Sequence, residues 1–210
     1  MSEPSRLERV AGELQAFYGL LPSPPSNPFA LFVWDVLSFQ TTAQKRDMAF
    51  AALKRHRSLT PDAMAKIAPK KLEDGVKLAG AYAEQRLRAL RAGVSVFQRN
   101  LGLMSALEKP LPLAQEALRA VPQMADGGAD RMLLFAGAHR VLPMDAGTRR
   151  VLRRLGYGDS PDADLPHRLD VYRRVSLYLS HHAQATCTAS DPHCAVCPLL
   201  GDCPTGESTR

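Results

Sequence analysis

Cys187, Cys194, Cys197 and Cys203 are the only cysteines of the chain, and all lie in one stretch near its C-terminus, CTASDPHCAVCPLLGDC. Clustered thiols serve disulfides, zinc or an iron–sulfur cluster. Two disulfides in so short a loop suit a small secreted domain, and the opening MSEPSRLERV has no apolar signal core. Zinc ribbons pair C-x2-C knuckles across a longer insert. Here the spacing is C-x6-C-x2-C-x5-C, with one short pair, Cys194 and Cys197. Four thiolates from one compact loop can ligate a cubane iron–sulfur cluster. Spacing leaves cluster and zinc open and favours the cluster.

Two carboxylates are also placed for chemistry. Asp145, in PMDAGTRRV, stands at an expected helix start. The positive end of the helix dipole keeps a carboxylate ionised there, and an aspartate there is also an ordinary N-cap. Asp35 sits in the apolar run PFALFVWDVLSFQ between Trp34 and Val36. Desolvation there favours the protonated form, a general acid. The alternative is an aspartate that hydrogen-bonds buried backbone or an arginine.

The elements that must position these groups are helical. Strand signals are nearly absent and the periodicity is helical almost throughout, which predicts an all-α protein of about ten short helices. Ser5 with Glu8 forms a capping box ahead of Leu7, Val10, Leu14 and Phe17. LLPSPPSNP is a break, after which Asn27 and Pro28 read as cap and first turn of the apolar helix. Thr60-Pro61 and Ala68-Pro69 open short helices, and further helices are expected over about 82–98, 112–121, 129–137, 146–155 and 164–182. With 210 residues, 45% hydrophobic and 23% charged, the chain is sized for one domain or two small ones. No apolar run approaches the ~20 residues of a membrane span. A net charge of +6 favours a polyanionic partner, although charge alone does not separate that from a basic protein without one.

Further motifs bring a resemblance into view. The cysteine spacing, His182 five residues before Cys187, NPFALFVWDVLSFQTT with Gln40, Gly80 and Tyr82, and PMDAGTRRV with Asp145 and Arg150 together resemble the endonuclease III family, helix-hairpin-helix DNA glycosylases with a C-terminal cluster loop. The resemblance runs from about residue 5 to 204. It implies a 4Fe–4S cluster on Cys187, Cys194, Cys197 and Cys203, a catalytic Asp145, and Gln40 filling the gap left by a flipped base. It implies a DNA partner carrying a damaged base, with Gln40, the hairpin residues Gln123, Met124, Ala125 and Gly127, and Arg149 and Arg150 facing it. It further implies a monomer of bacterial, cytoplasmic type with no membrane partner. Two lobes are expected: a helical barrel lobe over 24–132 including the hairpin, and a cluster lobe joining 1–23 to 133–210 with its cluster loop at 187–203. The DNA groove is expected between them.

The departures bear on mechanism. Where the family's hairpin reads L-P-G-V-G-R-K-T-A, this chain reads Val121-Pro122-Gln123-Met124-Ala125-Asp126-Gly127-Gly128-Ala129. Both hairpin glycines are replaced, so the turn is expected to be reshaped around Gly127-Gly128. The lysine that forms a Schiff base in bifunctional members is Gly127 here. Lys66, Lys70, Lys71 and Lys77 lie elsewhere. Asp35 falls where adenine glycosylases carry a catalytic glutamate and is the second catalytic candidate. The family's basic residues between the first two cysteines are replaced by TASDPH, leaving charges such as Arg149, Arg150, Arg153 and Arg154 for the DNA backbone. The expected activity is base excision without strand cleavage, with AP-lyase activity weak or absent. The alternative is a catalytically weak, damage-recognising paralogue.

Overall fold

Helix starts follow the capping chemistry. In the computed structural model, which describes residues 3–99, 103–122, 124, 127–137, 139–158 and 161–207, Ser5 and Glu8 close a reciprocal capping box on α1 (Arg6–Tyr18). Such a cap contributes about 1 kcal/mol. Asn27 accepts from Ala30 N at 3.0 Å and Pro28 opens α2 (Pro28–Ser38). Thr42 caps α3 (Ala43–Arg55), and Thr60 with Pro61 opens α4 (Pro61–Lys66). There follow α5 (Pro69–Lys77), α6 (Ala83–Arg99), α7 (Leu103–Ala106), α8 (Leu111–Leu118), α9 (Gly128–Phe135), α10 (Ala146–Arg154), α11 (Leu169–Ala185) and α12 (Pro204–Glu207). No strand occurs among the described residues, so the all-α expectation holds.

The chain forms two compact units. The unit Pro24–Ala138 is built round α2, whose residues Phe29 to Val33, Val36 and Leu37 are all buried. A helix apolar on nearly every face needs neighbours on every side; α3, α6 and α9 supply them. Phe29, Phe32 and Phe97 interlock at ring separations of 5.1 to 5.9 Å. Truncating the fully buried Phe32 to alanine costs ~3–5 kcal/mol.

The other unit joins Met1–Ser23 to His139–Arg210. Its spine is α11, packed against both α1 and α10. Gly147 lets α10 come close: a Cβ there would stand 2.9 Å from Ala183 Cβ on α11 and 3.3 Å from Asp145 Oδ1. Arg6 binds the tail to α1, donating to Asp202 Oδ2 at 3.1 Å, Asp202 O at 3.0 Å and Leu155 O at 2.9 Å.

Candidate functional site

The cysteine loop begins where α11 ends. Thr186 caps the helix, Cys187 N donates to His182 O at 2.8 Å, and His193 N returns to Thr186 O at 2.9 Å. Tight turns at Cys194–Val196 and Leu200–Asp202 then bring the later cysteines back. All four thiols are unpaired by disulfides and half-buried. They line one cavity of about 190 Å³, with Leu199 and Leu200 among its walls. Among the described residues, no three His, Cys, Asp or Glu side chains converge as a single metal ion requires. Four thiols on one cavity are a donor set that fits an iron–sulfur cluster.

The thiols are held by a surrounding hydrogen-bond shell. Arg154 Nη1 donates to Cys187 Sγ at 3.1 Å and to Thr188 O at 2.8 Å. His182 Nε2 lies 3.7 Å from Cys197 Sγ, and its Nδ1 lies 2.8 Å from the Tyr18 hydroxyl, which also meets Thr186 Oγ1 at 2.6 Å. Burial, with His181 beside it, holds the His182 pKa down to about 4, so the ring is neutral. Burial, reinforced by the other thiols, pushes Cys197 up from the ordinary thiol range; a bound metal reverses that by taking the thiolate.

Helix α10 links this loop to Asp145. Asp145, half-buried, caps α10 through Oδ1, which accepts from Thr148 N at 2.8 Å. One turn on, Arg150 Nε donates to Cys187 O at 2.9 Å and Nη2 to Ala183 O at 2.8 Å. Arg150 and Arg154, expected at a DNA surface, therefore turn inward and spend their forks on loop and helix-end carbonyls. Arg149 and Arg153 are exposed.

The remaining candidates lie in the unit Pro24–Ala138. Gln40 is exposed just after α2, at φ +46°. Asp35 is not solvated: its side chain is 4% exposed and Oδ1 accepts from Arg131 Nη1 at 3.1 Å, tying α2 to α9. An ion-paired carboxylate is an acceptor only. Gly127 is the N-cap of α9 at φ +87°, a conformation suited to glycine. Met124 is 2% exposed, so its side chain belongs to the core. Gln123 and Ala125, the other hairpin candidates, and Asp126 lie outside the described residues.

Sequence reading missed Arg86, which is fully buried, and assigned to the DNA backbone Arg154, which is hydrogen-bonded to a cysteine sulfur. Neither carries a local signal, because charged side chains on helices are ordinarily solvated.

No protein-family profile matches the chain. A curated relative, the endonuclease III of Sulfolobus acidocaldarius, is 26% identical over 186 residues, spanning 84% of this chain and 82% of that one. Two solved endonuclease III–DNA complexes share its fold. One is a trapped covalent intermediate (TM-score 0.67) and one a non-covalent complex (TM-score 0.68); each is 19% identical and covers 100% of this chain and 99% of that one. A thermostable thymine-DNA glycosylase has the same fold, at TM-score 0.67 and 16% identity, over 97% of this chain and 98% of the other.

Proposed function

We infer that the chain is a member of the endonuclease III family of helix-hairpin-helix DNA glycosylases, and the activity from that. It is a DNA glycosylase of base-excision repair, acting on duplex DNA. Within that class it is a monofunctional enzyme, releasing a damaged base by hydrolysis without cutting the strand. The observation that carries this reading is the start of α9. The residue at the family's Schiff-base lysine is Gly127, a bare backbone turn at φ +87°. Asp145 is retained at the start of α10.

The proposed chemistry follows from those two residues. The N-glycosidic bond of a flipped nucleotide breaks with positive charge growing on the sugar. The Asp145 carboxylate, its geometry fixed by the Thr148 N–H, faces that charge and orients a water. The water's oxygen bonds to the sugar carbon, its proton passes to the carboxylate, and the base departs with the bonding electron pair. Without an amine at position 127 no imine forms, so the sugar keeps its 3′ phosphate ester.

The four cysteines would hold a 4Fe–4S cluster, which when bound cross-links the loop and takes no part in bond breaking. Around it, with Cys197 a thiolate, His182 carries its hydrogen on Nε2 and receives the Tyr18 hydroxyl at Nδ1. Arg150 and Arg154 fasten the loop's first residues to α10, and so to Asp145. The loop residues 188–193 bring no lysine or arginine. Phosphate contacts then fall to exposed cations such as Arg149 and Arg153, each true contact steepening the salt dependence of binding.

The test is a screen of purified protein over duplexes bearing single damaged bases. At least one duplex should yield abasic sites, revealed as breaks only after alkali. Tight lesion binding with no alkali-labile product from any duplex would instead identify a damage-recognising paralogue.

A further inference from the structure

Arg86, on α6, has no exposed surface and ranks among the largest fully buried side chains of the chain. Its guanidinium meets carbonyls and, among the described residues, no carboxylate. Nη1 donates to Gly80 O at 3.3 Å and to Ala81 O, and Nη2 donates to Phe39 O. A buried charge without a counter-ion is costly, and this one spans two loops that are far apart in sequence. Thr41 Oγ1, donating to Ala79 O at 2.6 Å, ties the same two loops a second time.

What the guanidinium holds is specific. Phe39 O belongs to the peptide that ends in the nitrogen of Gln40, and Ala81 O to the peptide that ends in the nitrogen of Tyr82. Fixing those carbonyls orients the planar peptide units that lead into Gln40 and Tyr82 and so restricts φ there. Gln40 and Tyr82 sit at φ +46° and +66°, left-handed values that non-glycine residues keep only where the surroundings impose them. Both side chains are exposed, Tyr82 by 56%, and the Tyr82 ring meets Phe39 edge-on at 5.8 Å. An exposed amide on one of these loops and an exposed phenol ring on the other offer a hydrogen-bonding group for base edges and a face for stacking.

We propose that Arg86 is a positioning residue: it pins the loops 39–41 and 79–82 together so that Gln40 and Tyr82 enter the DNA stack as one rigid wedge. The proposal rests on the glycosylase reading; what it adds is the buried residue that holds Gln40 and Tyr82 in place.

The full-length protein is used, with two readouts. Hydrogen exchange tests the staple without DNA: Arg86→Met should raise exchange at the amides of 39–41 and 79–82 at least tenfold, leaving α2 and the cysteine loop as in wild type. Arg86→Lys, which keeps charge but not the fork, should recover part of that protection. A duplex with 2-aminopurine beside an abasic-site analogue tests the wedge. Wild type should brighten it, and Arg86→Met should lower the bright fraction about tenfold with a smaller loss of binding. Tyr82→Gly, which suits the left-handed backbone, should melt no lower than wild type yet lose the same brightness. Wild-type exchange and brightness in Arg86→Met overturn the proposal. Should Arg86→Met not fold, the same comparison in Arg86→Lys decides it. A wild-type protein that leaves 2-aminopurine dark sinks the wedge, while the lesion screen still rules on the glycosylase reading and the exchange result on the staple.

Discussion

Two helices that follow one another in the sequence begin in opposite ways. Helix α10 starts on Asp145, an extended residue whose carboxylate takes the Thr148 N–H. Helix α9 starts on Gly127, a left-handed residue with no side chain, and its first turn carries Asp130, held by Gln115 Nε2 at 2.6 Å. One start presents a carboxylate and the other presents no amine. The same contrast extends outward. Around α10, Arg150 and Arg154 turn inward to the cysteine loop, whereas the sequence before α9 departs from the hairpin pattern it otherwise resembles, with Gly127 where that pattern has a lysine. On the proposed function, holding a carboxylate for base release and supplying an amine for strand cleavage are separate tasks, and the chain is proposed to keep the parts of the first.

The largest effect expected from breaking the α10 side is loss of the loop itself. Wild-type protein should be brown, with about four irons per chain. Cys197→Ser should lose the colour and most of the soluble yield, because metal binding there is coupled to folding of the tail. Colourless wild-type protein holding one zinc after anaerobic purification would overturn the cluster.

Next in size is Asp145→Asn. Asparagine caps a helix as well as aspartate, so melting should move by less than about 0.5 kcal/mol. Base release should fall on the order of a hundredfold or more, since the charge facing the developing cation is gone. A variant that melts normally and excises normally would return Asp145 to a pure helix cap.

Asp35→Asn sharpens the comparison from the other unit. Removing the charge from a nearly buried pair with Arg131 should cost about 2–3 kcal/mol in denaturant melts. The surviving folded fraction should excise at close to the wild-type rate. A collapse of excision with unchanged stability would make Asp35 the general acid instead.

The smallest effect separates two adjacent arginines. Arg150→Ala removes charge-assisted bonds to Cys187 O and Ala183 O and should destabilise by about 2 kcal/mol. Arg149→Ala should cost less in melting than Arg150→Ala and lower the salt slope of DNA binding by about 1. Exchanged phenotypes would reverse their roles.

What the sequence told in advance follows from what is local. The Ser5–Glu8 capping box and the Asn27-Pro28 start are decided within four residues, and both form as expected. Helix α3 gave no comparable stripe: its buried face is Arg46, Ala49, Ala52 and Leu53, two of them alanines and one a cation stacked on Trp34 at 4.1 Å. Helix α11 starts at Leu169 rather than near residue 164. Pro166 disfavours helix for the residue before it, and Asp164 is instead engaged by Leu7 N and the Tyr157 hydroxyl. The cysteines were legible because their spacing lies within one loop. The inward turn of Arg150 and Arg154, and the burial of Arg86, were not, because each depends on carbonyls brought near only by folding.

The central claim is that this chain offers a carboxylate and no amine to the sugar. Borohydride trapping on a duplex whose damaged base the protein releases tests it most directly, since borohydride reduces an enzyme–sugar imine to a permanent adduct. The account predicts abasic product, breaks only after alkali, and no covalent protein–DNA band at any time. Efficient trapping by the wild-type protein would contradict it and require a lysine from elsewhere in the chain.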